Sequence, residues 1–397
     1  MAKVAIVPCW SYDSDEVERA VADALGLCLG PGWVRLLREP VLLKPNALSA
    51  SPPESGVCTH PAVLEAVLRV LRQAGITDLA VGDSSGGSGT RPTATDRAFE
   101  VSGLGAAAKR QGARLHSFDH EEARTRPRPG PEARGHPLTL ARTALEAGSI
   151  ISLPKLKTHA LTVLTGAVKN LYGCVPGAVK REYHRLNPTI AEFSALLVDI
   201  AAVLRPRFHI VDAVVAMEGE GPSGGQLRQV GLLVAGEDPV AVDAVLAFIA
   251  GLDPLDVPTT RLGAERGLGE ADLDRIEVVG LPLEEARRRP FRLPAMKAVA
   301  RRAPAFLTRW ALGFLVTRPA FVAGACTRCG VCAGNCPVGA LTVDRGRRVP
   351  VLDDAKCIGC FCCHELCPSH AVYIRYRNPV ARLVLGSGRS PRGGVRP

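Results

Sequence analysis

The chain has 397 residues, 47% hydrophobic and 22% charged, enough for two or three domains and too apolar for a disordered protein. Its formal net charge is +10, and only nine of its 49 basic residues are lysines, so a lysine's position is informative where an arginine's is not. No signal-like N-terminus and no uncharged run of membrane-spanning length appears, which argues against a secreted disulfide module or a helical membrane protein, and the 13 cysteines fit a reducing, cytoplasmic setting.

Over the first 280 residues, short β-branched runs alternate with longer amphipathic stretches. That pattern predicts an α/β fold on a mostly parallel sheet, occupying residues 1–285. The predicted strands are Val4–Val7, Val41–Leu43, Leu79–Val81, Arg114–Phe118, Ile150–Leu153, Phe208–Val211, Gly231–Val234 and Ile276–Val279. The predicted helices are Asp15–Leu27, Pro61–Ala74, Asp96–Gln111, Ile190–Leu204, Pro239–Ala250 and Pro258–Arg266. Thr59 and Pro61 mark a helix start and Gly75 a stop, while Asp238 before Pro239 reads as an N-cap. Two small-residue loops, Ser49–Gly56 and Gly82–Thr90, follow strands, where ligands sit in such sheets. The proline- and arginine-rich Glu121–Gly135 reads as a surface excursion.

Four of the nine lysines, Lys155, Lys157, Lys169 and Lys180, fall within 26 residues, and Lys44 ends a predicted strand. In a chain that otherwise uses arginine, this placement points to a pocket for a carboxylate or phosphate group, since lysine offers a compact point charge. The G-x-G-x-x-G match at Gly219–Gly224 is set aside, because Pro222 and the residues after it do not form the helix that a dinucleotide site requires. A rigid loop presenting Glu218 and Glu220 is the expectation there.

Residues 286–322 form a basic, then apolar connector, read as a helix packed on the body, with peripheral membrane contact as the alternative. Beyond it, Cys326-x-x-Cys329-x-x-Cys332-x-x-x-Cys336-Pro337 recurs 31 residues later as Cys357-x-x-Cys360-x-x-Cys363-x-x-x-Cys367-Pro368. This is the spacing of a bacterial ferredoxin-like domain holding two 4Fe–4S clusters, placed at residues 323–377. Three cysteines of a run wrap one cubane and the fourth, before proline, reaches the other. Cluster one then takes Cys326, Cys329, Cys332 and Cys367, and cluster two Cys357, Cys360, Cys363 and Cys336. Structural zinc is the competing reading. Cys362 is spare, and Cys9, Cys28, Cys58 and Cys174 read as packing. Residues 378–397 form a basic tail.

Lys44-Pro-Asn46, Gly82-Asp-Ser84, Pro154-Lys-Leu-Lys-Thr-His159, Thr165-Gly-Ala-Val-Lys-Asn170 and Asp238-Pro-Val-Ala-Val-Asp243 together resemble domain-of-unknown-function family 362, whose members often carry a C-terminal pair of 4Fe–4S motifs. The resemblance implies kinship without assigning a substrate. The combined expectation is an iron–sulfur redox protein, a reductase, passing low-potential electrons through two 4Fe–4S clusters to an anionic substrate. Lys44, Asn46, Lys169 and Asn170 would bind that substrate. Lys155 and Lys157 would stabilise developing negative charge, with His159 or Asp83 moving a proton. No flavin or further cofactor is designated. An electron donor or acceptor protein is the expected partner. The alternatives are a non-catalytic electron carrier or redox subunit docked on a partner enzyme and, disfavoured by the 5% aromatic content, a nucleic-acid binder.

Overall fold

The computed structural model describes residues 1–87, 93–129, 135–294, 316–344 and 346–379. Most of the predicted connector 286–322, with its possible membrane contact, and nearly all of the tail lie outside these residues.

Runs such as Val41-Leu42-Leu43 are buried on both sides because alternate side chains serve two different cores. Val41 and Leu43 join one apolar cluster and Leu42 another. The strands in chain order are β1 (Ala2–Pro8), β2 (Val41–Pro45), β3 (Leu79–Asp83), β4 (Arg114–Ser117), β5 (Ala123–Arg126), β6 (Leu138–Ala141), β7 (Ser149–Leu153), β8 (Lys155–His159), β9 (Val163–Thr165), β10 (Phe208–Glu218), β11 (Gln226–Gly236) and β12 (Ile276–Gly280). The main sheet runs β12-β1-β11-β10-β7-β2-β3-β4. It is mostly parallel, with β11 antiparallel to both of its neighbours. β8 continues β7 beyond a break at Pro154 and pairs with both β10 and β9.

One face is covered by α1 (Ser14–Leu29), α2 (Pro61–Gln73), α3 (Ala94–Val101) and α4 (Leu104–Arg110). The other carries α5 (Arg142–Glu146), α6 (Ala167–Asn170), α7 (Gly177–Leu186), α8 (Ile190–Leu204), α9 (Pro239–Ile249) and α10 (Pro258–Glu265). The mixed α/β fold with a mostly parallel sheet is therefore as expected. The single helix expected over Asp96–Gln111 is instead two, broken where Gly103 takes φ 75°. The surface excursion contains β5, paired antiparallel with β6.

In the C-terminal region, β13 (Thr317–Phe321) pairs antiparallel with β16 (Val372–Tyr376), and β14 (Leu341–Thr342) with β15 (Val351–Leu352). After the short α11 (Leu283–Ala286), two further short helices, α12 (Val331–Gly334) and α13 (Cys362–Glu365), sit one in each cysteine run. The 31-residue repeat is visible in the backbone. Left-handed conformations recur at Arg328 and Gly359, at Gly330 and Phe361, and at Gly339 and His370.

β2 leads to β3 on one side, while β7 beside it leads to β10 on the other, so the chain order reverses between β2 and β7. Such a reversal leaves a crevice beyond the carboxyl ends of the strands.

Candidate functional site

Two loops are tied together at the lip of this crevice. Lys44 Nζ, near the end of β2, lies 2.9 Å from Asp83 Oδ1 at the end of β3, with both side chains buried. Asp83 also accepts from Ala47 N at 2.7 Å and Ser84 N at 2.8 Å, so it clamps the loops after β2 and β3. Gly173 is needed opposite, since a Cβ there would come within 2.1 Å of Asp83 Oδ1. Lys180 of α7 donates to Ser84 Oγ at 2.8 Å and Ser85 O at 3.2 Å, and also to Ser84 O.

Alternation along β8 puts Lys155, Lys157 and His159 on one face. Lys155 donates to Tyr12 Oη at 2.6 Å and Asp212 Oδ2 at 2.8 Å, away from the crevice. Lys157 lies behind the crevice wall, donating to Asn46 Oδ1 at 3.1 Å and Val57 O at 2.7 Å. Burial pulls its pKa down to about 7, because the lost hydration outweighs the nearby Glu365 charge and its two direct acceptors are neutral.

His159 reaches the crevice. Its Nδ1 accepts from Leu161 N at 3.0 Å and Thr162 N at 3.3 Å, and burial, reinforced by Lys169, holds its pKa down to about 4. The ring is therefore neutral and carries its proton on Nε2, a donor rather than an acid.

Lys169 and Asn170 are carried by α6. The start of that helix is held by Asp243, which accepts from Ala167 N at 2.5 Å and Val168 N at 3.2 Å. Asn170 Nδ2 bridges Lys44 O at 3.0 Å and Ser152 Oγ at 2.9 Å, joining β2 to β7. Lys169 makes no hydrogen bond or ion pair among the described residues.

The opposite wall comes from the cysteine-rich region. Lys44, Asn46, His159, Lys169 and Lys180 face Cys362, Glu365 and Leu366 across a cleft of about 760 Å³. Ser223 Oγ donates to Glu365 O at 2.8 Å, and Arg181 to Gly334 O at 3.2 Å, fastening the two parts together. Phe361 and Ile374 enter the same apolar cluster as Leu171 and Phe193. Glu365 Oε2 stands 3.7 Å from His159 Nε2. Burial opposes the Glu365 charge, yet the facing His159 and the Lys169 ammonium hold its carboxyl below the usual range.

The cysteines enclose two chambers. One, of about 310 Å³, is lined by Cys326, Cys329, Cys332 and Cys367. The other, of about 330 Å³, is lined by Cys336, Cys357, Cys360 and Cys363, with Cys362 beside them. The fourth cysteines have matching surroundings. Ala340 N donates to Cys336 Sγ at 3.2 Å and Ala371 N to Cys367 Sγ at 3.3 Å, bonds that favour thiolate ligands. Among the described residues, no three His, Cys, Asp or Glu side chains converge on a point that would hold a single metal ion. Thiols spread around a chamber suit a cubane.

A family model described as domain of unknown function (DUF362) matches residues 41–248, just over half of the chain. The chain belongs to this family. A 4Fe-4S dicluster domain model matches residues 325–371 of this DUF362 protein, so its C-terminal region is an iron–sulfur cluster-binding domain. The protein is 32% identical over 274 residues to the thylakoid-associated protein sll1697 of Synechocystis sp. (strain ATCC 27184 / PCC 6803 / Kazusa), covering 67% of this chain and 79% of the relative. Two solved structures show a distant likeness at 14% identity, each covering 64% of this chain. They are the lactate racemase apoprotein from Thermoanaerobacterium thermosaccharolyticum, at TM-score 0.40, and a Thermotoga maritima protein, at TM-score 0.37. The alignments span 58% and 59% of those two chains.

In this DUF362 protein, Lys44, Asn46, Asp83, His159, Lys169 and Asn170 all line the cleft, while Lys157 backs it and Lys155 belongs to a separate buried cluster. Glu365 is a charged lining residue that the sequence reading does not name, and Lys180 is one that it places in the lysine cluster without giving it a role. An acidic residue between Cys363 and Cys367 was the available signal for Glu365. Glu218 is not offered to the cleft. It is bound by Arg228 at 2.9 Å and Arg292 at 2.8 Å.

Proposed function

We propose that this DUF362 protein is a reductase in which two 4Fe–4S clusters, held by Cys326, Cys329, Cys332 and Cys367 and by Cys357, Cys360, Cys363 and Cys336, serve a small anionic substrate in the cleft. When bound, such clusters supply low-potential electrons. The observation that carries the reading is Cys362, which lines both the second chamber and the cleft, so a single side chain separates the cysteine-bound centre from the ligand space. Cys329 is exposed, which makes the first chamber the side that a partner electron donor can approach.

Within the cleft, Lys169 supplies an ammonium that makes no hydrogen bond or ion pair among the described residues. His159 Nε2–H and Asn46 supply hydrogen bonds, and Lys44, Asp83 and Asn170 hold the walls in place. A neutral imidazole donating from Nε2 stabilises developing oxyanion charge without itself giving up a proton at neutral pH.

The test is anaerobic purification with iron and sulfide analysis, followed by mass spectrometry of co-purified small molecules. About eight irons per chain are expected. A bound anion should be lost in Lys169→Met at unchanged iron content. Zinc in place of iron, or retention of the ligand by Lys169→Met, overturns the proposal.

A further inference from the structure

The cleft has two donors facing it without acceptors and one carboxylate already in place. Lys169 Nζ has no hydrogen-bond partner among the described residues. His159 is 2% exposed, and its Nε2 is likewise without a hydrogen-bonded partner. Because Nδ1 is committed to Leu161 N and Thr162 N, Nε2 must carry the proton, so both groups are donors. The other carboxylate of the lining, Asp83, is consumed by Lys44, Ala47 N and Ser84 N. Glu365 is therefore the acidic group available to them, yet at 3.7 Å it is too far from His159 Nε2 for a hydrogen bond.

We propose that Glu365 is a resident competitor for an oxyanion site formed by Lys169 and His159, so that a small oxyanion settles there only as the Glu365 side chain gives way. The inference rests on the cleft being the ligand site. The physical reason is charge balance. Among the described residues Lys169 is the lining lysine with no hydrogen bond or ion pair, and the Glu365 charge offsets it from a distance, so a second anion beside an undisplaced Glu365 meets like-charge repulsion in a poorly hydrated space. Displacement needs only a side-chain rotation. The Glu365 backbone stays fastened through its carbonyl to Ser223 Oγ, and its side chain retains 16% exposure through which to swing out. Glu365 also lies two residues from Cys363 and from Cys367, which serve different chambers, so ligand entry is reported directly beside both.

The experiment is calorimetric titration of the anaerobic, cluster-loaded protein with acetate and with inorganic phosphate, iron content being checked for each variant. In the wild type both bind weakly, phosphate no tighter than acetate, since the displaced Glu365 carboxylate, its backbone still held by Ser223, stays close enough to repel the extra charge. Glu365→Gln should bind acetate at least about tenfold tighter and come to prefer phosphate, as removal of one nearby charge requires. Glu365→Asp should behave as the wild type. If Lys169→Met abolishes binding while Glu365→Gln leaves affinity unchanged, the cleft stands and the role of Glu365 falls. If neither the wild type nor Glu365→Gln binds either anion, the cleft itself falls. Should Glu365→Gln lose its iron, the wild-type comparison still decides, because tighter binding of phosphate than acetate overturns the proposal.

Discussion

Lys155 Nζ lies 2.8 Å from Asp212 Oδ2 with neither side chain more than 1% exposed, and the pair is closed off by Tyr12 Oη, which donates to Asp212 Oδ1 at 2.9 Å. His60 N donates to Asp212 Oδ2 at 2.9 Å, and the His60 ring stacks on Tyr12 with centroids 3.6 Å apart. Both Asp212 oxygens, the Tyr12 hydroxyl and the Lys155 ammonium are engaged with one another, which fits a structural role for Lys155. Lys155→Met leaves a buried carboxylate unpaired and should cost about 3–5 kcal/mol in urea denaturation. Adding Asp212→Leu should recover much of that loss, because the stranded charge is then gone. Equal destabilisation in the single and double variants would rule this account out.

His209 gives the protein an acid sensitivity that can be read directly. It is fully buried, and neither ring nitrogen has a partner among the described residues. Burial pulls its pKa from 6.5 to about 3. Between those values the unfolded chain binds a proton that the folded chain refuses, so stability present above pH 6.5 is lost as pH falls. This one group should cost about 2 kcal/mol between pH 7 and pH 5. His209→Leu should flatten that part of the stability–pH profile, and an unchanged slope would count against it.

Gly166 and Asp243 control where Lys169 sits. A Cβ at Gly166 would come within 2.0 Å of Asp243 Oδ1, the atom that receives Ala167 N. Gly166→Ala should therefore displace Asp243, destabilise the fold by about 1–3 kcal/mol and weaken anion binding together. Normal stability with normal binding would show that the contact relaxes freely.

Adjacent cysteines in the second run should behave oppositely. Cys363 matches the position of Cys332 in the first run, and Cys362 faces the cleft. Cys363→Ala should lose about half of the bound iron, whereas Cys362→Ala should keep all of it. Iron loss in Cys362→Ala would assign the ligand to that residue instead.

The helices were most legible where their ends were marked. Asp238 accepts from Val240 N and Ala241 N as an N-cap, and Pro61 begins α2. The strands were legible as β-branched runs, but β10 and β11 extend to 11 residues each because they pair with one another from His209–Gly236 to Glu218–Gln226, across a register shift between Ala213 and Val215. The β8–β9 hairpin was not foreseen, since Lys155-Leu-Lys-Thr-His159 has the alternation of a half-exposed strand and is instead buried throughout. The lysine cluster announced a charged site correctly in outline, yet spacing along a strand says nothing about which carboxylate each ammonium will meet.

By itself, the sequence determined the features whose geometry is local: the paired C-x-x-C-x-x-C runs, the helix caps and the apolar periods of a two-faced sheet. Tertiary structure decided the chemistry. Lys155 and Lys157 are two residues apart, yet one is neutralised by Asp212, 57 positions away, and the other meets only neutral acceptors. Glu365 reaches His159 and the neighbourhood of Lys169 only because α13 docks over the β2–β7 crevice. The reason is physical: a buried charge is governed by the few groups within several ångströms, and long-range folding chooses those groups.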